Sequence, residues 1–204
     1  MRAPGSDTCV LLVRHGETSE TADHRYPSTR DLPLSEHGRA QAAARVQALR
    51  DVTLDAVLTS ESRRARETAE ILAAGSGLAL ETFPQLAEMD FGQLGGLTFD
   101  EALQTFPEVF KRWQTNPFEV TLPDGEAFLD FVGRVRRTRR ELSRAWTGRT
   151  IAVVTHGGVI GVWRCLEEGR PWEEFWQSIP APGTGVWLIH AEGQVRVETL
   201  RPEV

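Results

Sequence analysis

No apolar run in this 204-residue chain is long enough to cross a bilayer as a helix, which excludes that kind of anchor within it. Cysteine is scarce. The two present, Cys9 and Cys165, both lie in apolar stretches, so buried free thiols are expected and a disulfide framework is not. The opening MRAPGSDTCVLLV holds one Arg and runs directly into a strand-like segment. It lacks the plan of a secretory leader, and a cytoplasmic location is the expectation. An excess of positive charge is missing too. A net charge of −6 and a pI near 5.5 weigh against binding nucleic acid or a membrane surface, although a small basic pocket is compatible with both numbers. There is no internal repeat, no low-complexity linker and no GxxxxGK(S/T) phosphate loop. His24, His37 and His190 have no ligand-like spacing to acids or cysteines, so neither metal nor cofactor is expected.

What is present reads as one domain over residues 1–204, with 40% hydrophobic residues to build its core. Short apolar, largely β-branched runs at 9–13, 56–58, 151–154, 186–189 and 195–197 predict buried strands. Helical periodicity falls at 36–50 behind Ser35, at 61–74 behind Ser60, at 126–146, and at 159–167 ahead of Gly169 and Pro171. Strand–helix alternation of this kind predicts an α/β fold, a three-layer α/β/α sandwich with a mostly parallel central sheet. Residues 83–124 break the rhythm. Their prolines, glycines and aromatics predict a loop-rich insertion that covers a site.

Two segments share a design. Val13-Arg14-His15-Gly16 and Val154-Thr155-His156-Gly157 each put an imidazole at the carboxyl end of a strand, where open α/β sheets bind ligands. A third strand, DAVLTS, leads into a helix carrying Arg63, Arg64 and Arg66. Guanidinium groups and helix N-termini bind phosphate, and a neutral imidazole among cations keeps a lone pair for attack. The surrounding charge would stabilise transferring phosphoryl oxygens, and a carboxylic acid from the insertion would protonate the leaving oxygen.

In order along the chain, LLVRHGET, RDLPLSEHGRAQA, LTSESRRARETAEIL, LAEMDFGQLGG and VVTHGGVI resemble the motifs of the histidine phosphatase superfamily, which includes phosphoglycerate mutases and small phosphatases. The resemblance covers nearly the whole chain. It implies a phosphorylated nucleophile at His15, phosphate ligands at Arg14, Arg64 and His156, and a general acid at Glu88. It also implies that the Gly16 carbonyl holds the His15 ring, and it adds Thr21 and Gly157 to the phosphate-binding set. The partner implied is a small phosphorylated metabolite.

Simpler roles are expected for the neighbours. Arg63 and Arg66 read as solvated or salt-bridged helix residues, Glu17 as a cap for local amides, and Asp90 as the competitor of Glu88. The arginines from Arg134 to Arg144 read as an exposed helix side, and Trp113, Phe110 and Phe118 as a group near the substrate entrance. Many relatives read RHGE-(S/T)-x-W-N, where the Asn reaches phosphate; here Glu20 and Thr21 stand in that region. The acid at Glu20 would discourage a second phosphate, and the short insertion favours water as acceptor. LPDGEAFLDFVGRV resembles the P-x-G-E-S stretch of the small-phosphatase branch, with Ala127 for Ser. A monophosphatase is therefore expected. The alternatives are mutase-type transfer, a dedicated alpha-ribazole or sugar phosphatase, or a phospho-binding module without turnover.

Overall fold

The computed structural model describes residues 7–200; the first six residues of the segment read as lacking a leader lie outside them. The first strand, β1 (Thr8–Arg14), is buried along its whole length except at Arg14, as expected of a central strand covered on both faces. A short helix α1 (Ser19–Ala22) follows, then α2 (Glu36–Ala48), β2 (Ala56–Thr59), α3 (Arg63–Ser76) and β3 (Leu80–Thr82). The insertion supplies α4 (Phe99–Thr105) and α5 (Pro107–Thr115). The chain closes with α6 (Phe128–Ala145), β4 (Thr150–Thr155), α7 (Gly157–Glu168), β5 (Gly185–Ala191) and β6 (Gln194–Thr199).

The sheet order is β3-β2-β4-β1-β5-β6. The first four strands run parallel, β5 pairs antiparallel with β1 and β6 antiparallel with β5, which is the mostly parallel sheet expected. Side-chain alternation sorts the core into two faces. Val10, Leu12, Leu58, Ile151 and Val153 pack against Phe131, Val135 and Leu142 of α6 and Val159 and Val162 of α7. Leu11, Val13, Val57, Ala152 and Val154 pack on the other side against Ala65, Ala69 and Leu72 of α3, with Leu49 just past α2. That makes three layers. Among the described residues, no helix is long and apolar enough to cross a membrane.

The structure departs from the sequence reading at several boundaries. β3 was not anticipated, because Leu80-Glu81-Thr82 is short and its last two side chains face solvent. The helix expected behind Ser60 has Ser62 at its N-cap instead. α6 begins at Phe128, two residues late, and Ala127 sits at its N-cap without a side chain able to cap it. The last two strands form a hairpin whose turn residues, Glu192 and Gly193, both have positive φ (52° and 76°), the backbone that a tight turn demands. Both cysteines are buried and free.

Candidate active site

Register places the two histidines side by side. β1 pairs with β4 so that Arg14 lies opposite Thr155, and the next residue on each strand is a histidine. The His15 amide donates to Thr155 O at 2.9 Å, and its carbonyl accepts from Gly183 N at 2.9 Å, so its backbone is fixed from both sides. The imidazole centroids are 5.2 Å apart, and both rings are buried. Behind the nucleophile candidate, the chain can turn only because two glycines meet. A Cβ on Gly16 would collide with the carbonyl of Gly38, and one on Gly38 would collide with the backbone of Glu17.

Hydrogen bonds assign the tautomers. His15 Nδ1 lies 2.7 Å from the Gly16 carbonyl, which can only accept, so Nδ1 carries the proton and Nε2 the lone pair. Arg64 Nε–H donates to that Nε2 at 3.2 Å. On the second ring, an Arg64 terminal nitrogen approaches Nδ1 at 3.3 Å, and Nε2 is 2.8 Å from Ser60 Oγ and 3.3 Å from Ser62 Oγ. A guanidinium has no acceptor to offer, so His156 holds its proton on Nε2 and donates it to the serines.

Electrostatics agree with that assignment. Burial first, then the charges of Arg64 and Arg14, hold His15 well below its ordinary 6.5, against an upward pull from the Gly16 carbonyl. His156 is held down likewise by burial, Arg64, the neighbouring His15 and Arg14. Both rings are neutral at physiological pH. The two guanidiniums are themselves depressed, mainly by burial, and Glu88 acts on each in the opposite direction. Arg14 donates to Pro180 O at 2.8 Å, while its buried Nε has no hydrogen-bond partner among the described residues. One buried cation, one partly buried cation and an unsatisfied donor make an anion site.

Glu88 arrives from the insertion and is held on three sides. Its Oε2 accepts from Gly158 N at 3.0 Å, at the N-terminus of α7, and its Oε1 accepts from Met89 N at 3.0 Å. The backbone that carries it is tied to β4 by Thr155 Oγ1 donating to Leu86 O at 2.7 Å. It is tied to α6 by Arg134, whose guanidinium donates to Gln85 O (3.0 Å), Ala87 O (2.7 Å) and Glu88 O (3.3 Å). Glu126 holds that guanidinium from the other side at 2.8 Å.

The structure brings together Arg14, His15, Arg64, Glu88, His156 and Gly157: Arg14 and Gly157 line a cavity of about 430 Å³, Arg64 and His156 line one of about 320 Å³, Glu88 lines both, and His15 is buried and bonded to Arg64. Thr21 lines the larger cavity, but its hydroxyl is engaged with the backbone of Thr18, donating to O at 3.1 Å and accepting from N at 2.8 Å. Asp90 is exposed and accepts from Gly92 N in a local turn. Glu20 does not project an open charge into the site; buried, it is neutralised by Arg30 at 2.8 Å and also bonded by Ser28. Arg63 pairs with Glu67, and Glu17 accepts from the Ser35 hydroxyl. Of the aromatic group, Trp113 alone lines the cavity: Phe110 lies behind it in the core, and Phe118 packs on Phe128 and Trp172. Ser60, read as a helix cap, instead holds His156. Arg134, read as part of an exposed stripe, instead fastens the Glu88 loop, whereas Arg136, Arg137, Arg140 and Arg144 are exposed as expected.

A buried anion site at the strand ends of an α/β/α sandwich is a class shared by many enzymes; comparison of the chain with known proteins narrows it. Residues 10–202 match the histidine phosphatase superfamily (branch 1), and the chain belongs to it. Bifunctional protein Rv2228c of Mycobacterium tuberculosis is 37% identical over 76% of this chain, which spans only 42% of that longer protein. The adenosylcobalamin/alpha-ribazole phosphatase of Escherichia coli is 33% identical over 82% of each chain. The crystal structure of a putative alpha-ribazole-5'-P phosphatase from Escherichia coli superposes with a TM-score of 0.85 at 28% identity, over 95% of this chain and 96% of that one.

Proposed function

We propose that this chain hydrolyses phosphate monoesters of small molecules through a phosphohistidine on His15. The observation that carries the proposal is the His15 Nδ1–Gly16 carbonyl bond of 2.7 Å, which leaves Nε2 unprotonated beside Arg64. In the first step Nε2 bonds to phosphorus as the ester P–O bond breaks. Glu88, entering as the acid, gives its proton to the departing oxygen. Arg14, Arg64 and the Gly157 amide at the start of α7 hold the equatorial oxygens. An arriving dianion favours a second proton on His156, at Nδ1, which then joins them as a donor. In the second step water attacks phosphorus, the P–N bond breaks, and the water's proton returns to Glu88.

Water is favoured over a second sugar oxygen because the cations placed to hold a second phosphate are engaged. Arg25 donates to Glu101 and to Gly96 O, and Arg30 to Glu20. Thr21 contributes to the cavity wall, with its hydroxyl engaged by the backbone of Thr18. The partner is then a small phosphorylated metabolite, and the cytoplasm is the setting that such a substrate implies.

The test is p-nitrophenyl phosphate with EDTA between about pH 5 and 8. Phosphate release with an acid-labile phosphoenzyme is expected, and His15→Ala abolishes both. Binding without release would make the chain a phospho-recognition module, and phosphate moving between positions of 3-phosphoglycerate would make it a mutase.

A further inference from the structure

The phosphate end of the cleft says nothing of the alcohol that leaves; the larger cavity does. We infer that the natural leaving group carries an aromatic ring, seated against Tyr26, Phe91, Phe99 and Trp176, with Trp113 and Phe131 backing them from the core. The inference rests on the hydrolase reading above and adds the substrate class. These rings form one wall. Tyr26 meets Phe91 at 5.1 Å, Phe91 meets Trp113 edge-on at 6.1 Å, and Trp113 meets Trp176 edge-on at 5.2 Å. Met89, Ile179 and Pro182 fill the gaps between them, and Arg14, Glu88 and Gly157 mark the end where phosphorus sits. A volume of about 430 Å³ is in the range that encloses a compact organic ligand.

The charged and hydroxyl groups of Arg25 and Thr21 in that wall are already engaged, which weighs against the other common alcohols. A carboxylate-bearing alcohol needs a free cation, and the Arg25 guanidinium is engaged by Glu101 at 2.7 Å and Gly96 O at 2.8 Å. A polyol needs convergent donors and acceptors, and the Thr21 hydroxyl is bonded to its own helix start. His24 lies at the exposed rim. Rejecting a polar substrate takes only unpaired groups on the substrate; favouring an apolar one takes contact area, and the wall supplies it.

The test compares 2-(1-naphthyl)ethyl phosphate with glycerol 1-phosphate, O-phosphoserine and 3-phosphoglycerate. All four release a primary alcohol, so the chemical step asks the same of Glu88. The naphthyl ester should show a kcat/KM about 30-fold above the others, the advantage expected from burying one ring face. Phe99 is half exposed, so Phe99→Ala tests the wall without opening the core. It should narrow the naphthyl preference by about fivefold. Equal or faster turnover of phosphoserine or glycerol phosphate overturns the inference, as does an equal loss on all esters in Phe99→Ala. Failure of every ester together with absence of the phosphoenzyme defeats the hydrolase reading itself, so the two failures are distinguishable.

Discussion

Gly158→Ala separates catalysis from stability. A Cβ at this position would press on Glu88 Oε1, stand 3.2 Å from its carboxyl carbon and stand 3.3 Å from Phe131 Cζ. Phe131 is wholly buried in the core and cannot give, so the carboxylate must move. Moving it forfeits the 3.0 Å bond from Gly158 N and the favourable end of the α7 dipole. Alanine in a helix gains about 0.5–1 kcal/mol over glycine, which offsets part of the crowding, so the denaturation midpoint should change little. Catalysis has no such offset. Positioned proton donation contributes about 10²–10⁴-fold, so kcat/KM for an alkyl phosphate should fall about 100-fold. An aryl phosphate, whose leaving oxygen needs little protonation, should lose less than about fivefold. The parameter must be kcat/KM, because dephosphorylation is common to all esters and can mask the difference in kcat. The assay is a series of esters of increasing leaving-group basicity, in which the variant's rates should fall more steeply than the parent's. Parallel lines would show that Glu88 is not the acid, or that Gly158 does not place it.

Three further outcomes follow from the same contacts. His15 and His156 are held neutral by the fold but titrate near 6.5 when unfolded, so below that pH the unfolded chain binds protons the folded one refuses. Stability is therefore full above 6.5 and falls below it by up to about 1.4 kcal/mol per pH unit for each ring; urea midpoints should show this, with about half the slope in His15→Asn, and a flat profile would refute it. Arg134→Ala should lower kcat/KM on alkyl phosphates about tenfold with a smaller loss on aryl ones, because the Glu88 backbone loses its tether. Arg134→Lys should fail to restore it, one ammonium being unable to span the carbonyls and Glu126; full rescue by lysine would refute the tether. Ser60→Ala leaves the His156 Nε2–H with only the 3.3 Å contact to Ser62, and should cost about 1–3 kcal/mol in urea unfolding, whereas an unchanged midpoint would show that Ser62 suffices.

The fold was legible where burial dominates. A central strand such as CVLLV is apolar at every position because both faces are covered, and no tertiary contact is needed to recognise it. The strand-end histidines were legible for a related reason: once two runs are strands of one parallel sheet, the residues just past their ends share an edge. β3 escaped because three residues with two exposed side chains carry no periodicity. Arg134 and Ser60 escaped differently. On a helix side an arginine reads as solvated, and only the approach of the loop at 85–88 gives its five donors their carbonyls. A serine ahead of a helix reads as a cap, and its real partner is 96 residues away in the sequence. The single available signal for Ser60 was a second serine two residues on, which leaves one of the pair free for other work. Glu20 was read for its charge alone, without the arginine ten residues later that cancels it.

The contact between Arg64 and His15 also constrains how the reaction must begin. The Arg64 Nε–H lies on the Nε2 lone pair at 3.2 Å, the same pair that has to reach phosphorus. A phosphoryl group that binds there must draw this N–H onto one of its own oxygens before the nitrogen is free. The exchange is favourable because an anionic oxygen is a better acceptor for a guanidinium than a neutral imidazole, whose bond it replaces. The same exchange strips donors from both rings at once, since another nitrogen of Arg64 approaches His156 Nδ1 at 3.3 Å. One arginine thus links the nucleophile's release to the change that lets His156 accept a proton and face the phosphate. A neutral alcohol of the same shape offers no anionic oxygen to make the exchange, and leaves the lone pair covered. On the proposed reading, selectivity for phosphate esters would be built into the hydrogen bond of His15 itself, and the aromatic wall would act only on esters that have already passed it.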